Sequence, residues 1–138
     1  CGISSARLAA YGNRVTCLIS DERTQRRARE TGTTRALAAV DLVFELFFRN
    51  APDSGIWVVG NAPTALFRLL EKLEQEPDRP RPRLIVGLPV GFVNAAESKE
   101  ALCQSDYNFI TNRGRKGGSN VAASVINALA ELANAQDN

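Results

Sequence analysis

The sequence has 138 residues and contains neither histidine nor methionine. The missing histidine removes the side chain that most often serves as a general acid or base near neutral pH and as a metal ligand. Three cysteines are present, Cys1, Cys17 and Cys103, and their spacing matches no metal site. An odd number of thiols favours reduced cysteines, which predicts a cytoplasmic protein without a bound metal.

Long apolar runs and a strong surplus of one charge are also lacking. Asp41, Glu45 and Arg49 interrupt the most apolar stretch, so no segment has the length needed to span a bilayer. Seventeen basic residues against fifteen acidic ones leave a net charge of +2. The basic residues cluster at 23–29 and 113–116, but no aromatic side chains alternate with them to stack on bases. The sequence therefore predicts neither a membrane nor a nucleic acid as partner.

The composition that remains is that of a globular domain. Hydrophobic residues make up 44% and charged residues 23% of the chain, which is long enough to enclose a sizeable core. A single domain over residues 1–138 is predicted. Because residue 1 is a cysteine in mid-pattern, we expect this domain to be incomplete at its N-terminus, although removal of an initiator methionine would also fit.

The residues 60–64 organise the predicted fold. A β-rich apolar run at 56–59 precedes them, and apolar residues at helical spacing follow at 65–73, so the pattern predicts strand, tight loop and helix. Gly60 permits the turn, Asn61 is a candidate cap, and Pro63 suits a first helical turn. Such a loop lies where ligands bind in parallel sheets, and an ordinary strand-to-helix connection has the same pattern.

The remaining periodicities complete an alternation of strands and helices. The predicted helix at 22–30 ends at a junction over residues 31–35, where Gly32 is the expected terminating glycine. Cys17 is expected to be a buried apolar residue. Four strand-to-helix units predict a three-layer α/β/α fold with a parallel sheet. The predicted strands are 15–19, 56–59, 84–90 and 107–111, and the predicted helices are 22–30, 35–49, 65–73, 95–102 and one that opens after residue 118.

The glycine-rich stretch 113–119 is a candidate anion site. Its glycines, Arg115 and Lys116 lie between a predicted strand and a predicted helix, where backbone N–H groups and a helix N-terminus add to two cations. The spacing fits neither a Walker motif nor a dinucleotide fingerprint. A flexible basic turn remains the alternative.

Arg35 is the other candidate ligand contact. Thr34 or its neighbour Thr33 is expected to cap the helix that begins near Arg35, and a cation at a helix N-terminus opposes the helix dipole. Arg35 therefore serves either a ligand or a surface ion pair. If the four junctions meet at one sheet edge, they present separated cations and N–H donors, which suit a large flat molecule with several carboxylates at its margin.

Several ordered blocks resemble one family. They are GNAPTAL at 60–66, VGLPVGFV at 86–93 with AAESK at 95–99, and RGRKGGS at 113–119, together with shorter matches at 2–3, 17–21 and 32–35. These blocks are similar to precorrin-8X methylmutase, also called precorrin isomerase, over nearly the whole chain.

The resemblance implies a flavodoxin-like parallel sheet, a homodimer and a role in cobalamin biosynthesis. In that family a methyl group moves from C11 to C12 of the corrin precursor, with or without cobalt, and neither a metal nor an organic cofactor takes part. Arg35 is then the candidate catalytic residue. The resemblance implies substrate contacts at these positions: Thr34, Arg35, Asn61, Thr64, Ser98, Lys99, Arg115, Lys116 and Ser119.

One departure from the family pattern matters for activity. The acid–base histidine of the family lies in an N-terminal part, with a further strand, that has no counterpart in these residues. We therefore expect the chain to be the substrate-binding C-terminal majority of the enzyme and to bind better than it turns over. The missing N-terminal part is then a separate second chain, a disordered segment or a deleted stretch. A non-catalytic tetrapyrrole-binding protein and a flavin or nucleotide protein are the alternatives.

Overall fold

The computed structural model describes residues 2–48 and 55–136. Within these ranges the chain alternates between helices and short strands, as the periodicity predicts. In chain order the elements are α1 (Ser5–Ala9), α2 (Glu22–Thr31), α3 (Arg35–Val43), a π-helical turn (Phe44–Phe48), β1 (Ile56–Val59), α4 (Pro63–Gln75), β2 (Leu84–Gly87), α5 (Ala95–Gln104), β3 (Phe109–Thr111) and α6 (Ser119–Gln136).

The three strands form one parallel sheet in the order β1-β2-β3. Each strand is followed by a helix that returns the chain to the opposite edge, which is the connection that parallel pairing requires. In the register of the sheet, Val59 lies opposite Gly87, and Gly87 lies opposite Thr111. The carboxyl ends of all three strands are therefore level, and the segments that follow them start from one edge.

Helices cover both faces of the sheet. Ile85 packs on one face with apolar residues of α3, α4 and α5, whereas Val86 packs on the other face with residues of α6 and α1. Both side chains are fully buried, which explains the unbroken apolar run in β2. The predicted three-layer α/β/α architecture is confirmed.

Local capping signals are mostly confirmed. The Thr34 side chain accepts a hydrogen bond from the Leu37 N–H at the start of α3, and Gly32 ends α2 in the left-handed conformation at φ 64°. Pro63 occupies the first turn of α4, as expected from its fixed φ. The prediction that Asn61 caps α4 is wrong, because Ala62 is the cap residue and no side chain fills that role.

The predicted strand at 15–19 is wrong. The structure has irregular backbone there, and Cys17, expected in the core, is exposed. A strand needs a ladder partner, and in the described part of the chain the sheet contains only β1, β2 and β3. Consequently the described residues contain three strand-to-helix units and not the predicted four.

Other predicted boundaries also differ from the structure. The helix predicted at 35–49 becomes π-helical from Phe44, and residue 49 lies outside the described residues. The strands predicted at 84–90 and 107–111 are shorter, covering 84–87 and 109–111.

An ion pair joins α3 to α4 and should be a main polar determinant of stability. Asp41 is largely buried and accepts two hydrogen bonds from the Arg68 guanidinium, at 2.6 and 3.1 Å. Arg68→Ala is expected to lower the free energy of unfolding by about 2 kcal/mol, because it leaves a carboxylate without its main partner; complete burial of both groups would raise the cost to about 3–5 kcal/mol. Urea denaturation measures this change.

Glu71→Gln is the matched control for that substitution. Glu71 is the exposed second partner of Arg68, at 2.7 Å. Because solvent screens this pair, its loss is expected to change the free energy of unfolding by no more than about 0.5 kcal/mol. Equal effects of the two substitutions would contradict a special role for the Asp41 contact.

Candidate functional site

Three loops leave the carboxyl edge of the sheet, and we call them the first loop (60–62), the second loop (88–94) and the third loop (112–118). The first two are joined through the backbone, because the Val90 N–H donates to the Asn61 carbonyl at 3.3 Å. The first loop is thereby held beside the second, although the two lie almost thirty residues apart in sequence.

The second and third loops are joined in the same way. The Gly118 N–H donates to the Leu88 carbonyl at 2.9 Å, and the Gly91 N–H donates to the Arg115 carbonyl at 3.2 Å. Together with the bond between the first two loops, these contacts bring three of the four predicted junctions into one continuous rim. Parallel pairing places the loops at one edge, and the backbone bonds then fix their relative positions.

Two glycines allow the loops to touch backbone against backbone. A Cβ atom at Gly117 would overlap the Leu88 carbonyl oxygen and would lie 2.8 Å from that of Pro89. A Cβ atom at Gly60 would lie 2.7 Å from the Ser119 Cα. Any side chain at either position would push the loops apart.

The third loop presents cations at the start of α6. Arg115 and Lys116 are both exposed, and neither side chain forms an ion pair with any residue in 2–48 or 55–136. The Arg115 guanidinium lies 5.8 Å from the centroid of the Phe92 ring, which is 85% exposed. Ser119, the first residue of α6, is exposed beside them. Free N–H groups at the helix start and two unpaired cations give this end of the rim a positive potential.

The first loop adds neutral polar groups opposite the third. Asn61 is exposed in the loop, and Thr64 is exposed in the first turn of α4. Gly60, which precedes them, lies directly against Ser119. Asn61 therefore lies near Ser119 at the rim, Thr64 follows at the start of α4, and all three side chains can donate hydrogen bonds to a carboxylate.

Arg35 begins α3, the helix that the Asp41–Arg68 ion pair joins to α4. Arg35 is exposed, and no hydrogen bond or ion pair of its side chain occurs within the described ranges. Thr34 is exposed as well, with its hydroxyl engaged as the α3 cap at 3.3 Å from the Leu37 nitrogen.

Ser98 and Lys99 differ from the other predicted site residues because they are buried. The Ser98 hydroxyl donates to the Ala95 carbonyl at 3.0 Å within α5. Lys99 is only 1% exposed, and its Nζ donates to Asn112 Oδ1 at 3.0 Å and to the Lys116 carbonyl at 2.6 Å. Neither side chain reaches the surface of the rim: Ser98 bonds within α5, and Lys99 bonds to the third loop.

Sequence reasoning missed Asn112 and Phe92. Asn112 receives the Lys99 bond and itself donates from Nδ2 to the Lys116 carbonyl at 3.1 Å. Its position directly after β3, before the glycine-rich stretch, was the available signal. Phe92 lies in the VGLPVGFV block at 86–93, but nothing in the local sequence predicted that its ring would be exposed to solvent beside the Arg115 guanidinium.

A groove of about 430 Å³ lies outside the rim, between α5 and the third loop. Glu97 and Glu100 line it together with Arg113. In this groove the two carboxylates offset the charges of Lys99 and Arg113, so the rim, whose exposed cations form no ion pair in the described ranges, is the better candidate for a polyanion.

The described residues contain neither a group of side chains suited to a metal ion nor a helix suited to a membrane. Among residues 2–48 and 55–136, no three His, Cys, Asp or Glu side chains lie close enough to hold a metal ion. Over the same ranges, no helix combines the length and the apolar character needed to cross a bilayer.

Comparison with known proteins assigns the family. The family model described as CbiC, precorrin-8X methylmutase, matches residues 1–132. The chain is 48% identical over 128 residues to the cobalt-precorrin-8 methylmutase of Salmonella typhimurium, covering 93% of this chain and 56% of that protein. It is 47% identical over 131 residues to the precorrin-8X methylmutase of a Sinorhizobium species, covering 94% of this chain and 59% of that protein.

Solved structures agree with the sequence comparison. Precorrin-8x methyl mutase from Thermus thermophilus superposes with a TM-score of 0.82 at 38% identity, covering 99% of this chain and 63% of that one. The chain thus spans a little over half the length of the curated relatives given above, between 56 and 59%. Because the family model covers almost all of the present residues and the fold agrees, this chain belongs to the precorrin-8X methylmutase family.

Proposed function

We propose that this chain holds the corrin precursor for an isomerase of cobalamin biosynthesis. The reaction moves a methyl group from C11 to C12 of precorrin-8X, or of its cobalt counterpart, and yields hydrogenobyrinate or cobyrinate. The observation that carries the proposal is the joined rim of three loops, with Arg115 and Lys116 exposed and unpaired in the described part of the chain. A flat ring with carboxylates around its margin matches separated cations better than a nucleotide does, whose phosphates need contacts in one loop.

In this proposal the rim binds the acid side chains of the substrate. Arg115, Lys116 and Arg35 supply charge-assisted contacts, and Asn61, Thr64 and Ser119 donate neutral hydrogen bonds. Ser98, Lys99 and Thr34 act indirectly, by stabilising α5, the third loop and the start of α3. Contacts from several structural elements would hold the corrin ring in one plane. A methyl shift on one face of the ring requires such a fixed orientation.

The chemistry is an isomerisation, so substrate and product have the same atoms and no oxidant, reductant or cofactor is consumed. The Arg35 guanidinium offers hydrogen-bond donors and no acceptor, so it would stabilise negative charge on the substrate. The 138 residues include no histidine, and none of them is proposed to transfer a proton. The catalytic role predicted for Arg35 is therefore electrostatic.

A visible-absorbance titration with hydrogenobyrinic acid tests the proposal. We expect a saturable spectral change with one ligand per chain, weakening as ionic strength rises because exposed cations contact carboxylates. An analogue with two carboxylates converted to amides is the matched control and should bind more weakly. No saturable change would refute the proposal, and tight binding of flavin mononucleotide in its place would favour a nucleotide protein.

We also propose that the protein is a homodimer in the cytoplasm. The resemblance to the family supports the dimer, and the thiols support a reducing compartment. Sedimentation equilibrium at several concentrations measures the assembly state, and a mass that stays at that of one chain would contradict the dimer.

A further inference from the structure

Lys99 is a buried cation beneath the third loop. It lies on α5 with 1% of its surface exposed, and its Nζ donates to Asn112 Oδ1 at 3.0 Å and to the Lys116 carbonyl at 2.6 Å. Asn112 Nδ2 donates to the same carbonyl at 3.1 Å. The Lys116 carbonyl is thus held by two donors, and the loop is closed onto α5.

Both partners of Lys99 are neutral oxygens. No carboxylate lies within ion-pair distance of its ammonium among residues 2–48 and 55–136. Burial lowers the pKa of the Lys99 ammonium below its usual value, since desolvation disfavours the charged form. A buried ammonium is costly unless it is well hydrogen-bonded. The hydrogen-bond acceptors of the third loop therefore stabilise the Lys99 ammonium in its buried position.

The orientation of the Lys116 carbonyl determines the direction in which the Gly117 N–H points. In a trans peptide the C=O and the following N–H point in opposite directions, so the inward Lys116 carbonyl turns the Gly117 N–H away from Lys99. Every described peptide bond is trans, and the Gly117 N–H has no hydrogen-bond partner in the described part of the chain. An unpaired N–H beside two exposed cations is a donor available to an anion.

We propose that Lys99 is a positioning residue that holds the third loop in its anion-binding shape. In that shape the Gly117 N–H and the Arg115 and Lys116 side chains face one carboxylate of the bound substrate. Lys99 itself touches no substrate atom, and its charge adds positive potential behind the loop. This inference rests on the proposed function, because it names the loop as the place where a carboxylate binds.

The test compares Lys99→Met with the unchanged chain. Methionine approximates the length of lysine without its donors, so the Lys116 carbonyl loses its closest partner. We expect the affinity for hydrogenobyrinic acid to fall about tenfold. By NMR, amide exchange of Gly118 and Gly91 should become faster, because their hydrogen bonds tie the third loop to the second. Exchange within β2 (Leu84–Gly87) should stay slow, which separates loop loosening from unfolding.

Asn112→Ala keeps the inference testable if Lys99→Met does not fold. Asn112 is exposed, so its loss is easier to tolerate, and the same faster exchange with a smaller loss of affinity is expected. Where Lys99→Met does fold, the double substitution should weaken binding by less than the product of the two single effects, since both act on one carbonyl.

Each outcome is decisive. Weaker binding with unchanged exchange of Gly118 would overturn the inference and would make Lys99 a direct substrate contact. Faster exchange with unchanged affinity would overturn it too, because the loop shape would then not matter for binding. If the unchanged chain does not bind hydrogenobyrinic acid at all, the proposed function fails instead, and the exchange measurements still report whether Lys99 holds the loop.

Discussion

Gly117→Ala is expected to weaken the binding of hydrogenobyrinic acid about a hundredfold and to lower the free energy of unfolding by about 2–3 kcal/mol. The new Cβ would overlap the Leu88 carbonyl oxygen and would lie 2.8 Å from the Pro89 carbonyl oxygen. Both oxygens belong to the backbone that extends β2, so they cannot move aside as a flexible side chain would. The third loop must lift instead.

Lifting the loop breaks several contacts at once. The Gly118 N–H would leave the Leu88 carbonyl, and the Lys116 carbonyl would move from Lys99. The cations of the rim would then lose their positions relative to one another, so the loss of binding free energy should be about as large as the loss of stability. Absorbance titration and urea denaturation on the same sample measure the two effects separately.

Gly114→Ala is the matched control in the same loop. A Cβ at Gly114 meets no atom within 4 Å, although its φ of 82° is unfavourable for alanine. The substitution should therefore cost about 1 kcal/mol of stability through conformation alone and should change the affinity by less than about threefold. If alanine at Gly114 weakens binding as much as alanine at Gly117, close packing against Leu88 is not what shapes the site.

Arg35→Ala is expected to weaken the binding of hydrogenobyrinic acid by about 1–3 kcal/mol without destabilising the protein. Arg35 is exposed and has no ion-pair partner in the described ranges, so its removal breaks no contact of the fold. Removing a cation from the first turn of α3 should even raise the free energy of unfolding by a few tenths of a kcal/mol, about the size of a helix-dipole effect. Opposite signs for binding and stability are characteristic of a ligand contact.

Arg26→Ala provides the same change of charge at another site. Arg26 is exposed on α2, away from the helix N-terminus. Its loss should alter the affinity by less than about twofold, because solvent screens distant exposed charges. Equal weakening by the two substitutions would show a general charge effect, and unchanged binding by Arg35→Ala would remove Arg35 from the site.

Helix and turn positions could be predicted where one residue restricts its own backbone. Pro63 begins α4 because its ring fixes φ, and Gly32 ends α2 because a left-handed residue is needed there. Strand prediction failed at 15–19 although the apolar pattern resembles that of β1. Pairing partners decide strands, and a partner is a long-range property that a local pattern does not contain.

The predicted site shows the same division between local and long-range information. Glycines and cations at the strand ends indicated a rim, and backbone hydrogen bonds between distant loops hold it together. Sequence could not separate Lys99 from Lys116, since both are lysines beside small residues in matching motifs. Packing buries the first and exposes the second.

By itself the sequence determined the family, through its ordered blocks of matching residues. It also determined the α/β class and the residues at which the chain turns, because periodicity and the φ preferences of glycine and proline act within a few residues. The tertiary structure alone decided that the loops join, that Lys99 is buried against the third loop and that Arg35 is exposed without an ion pair in the described part of the chain. Burial and hydrogen-bond partners depend on which distant segments pack together, and no single stretch of sequence carries that information.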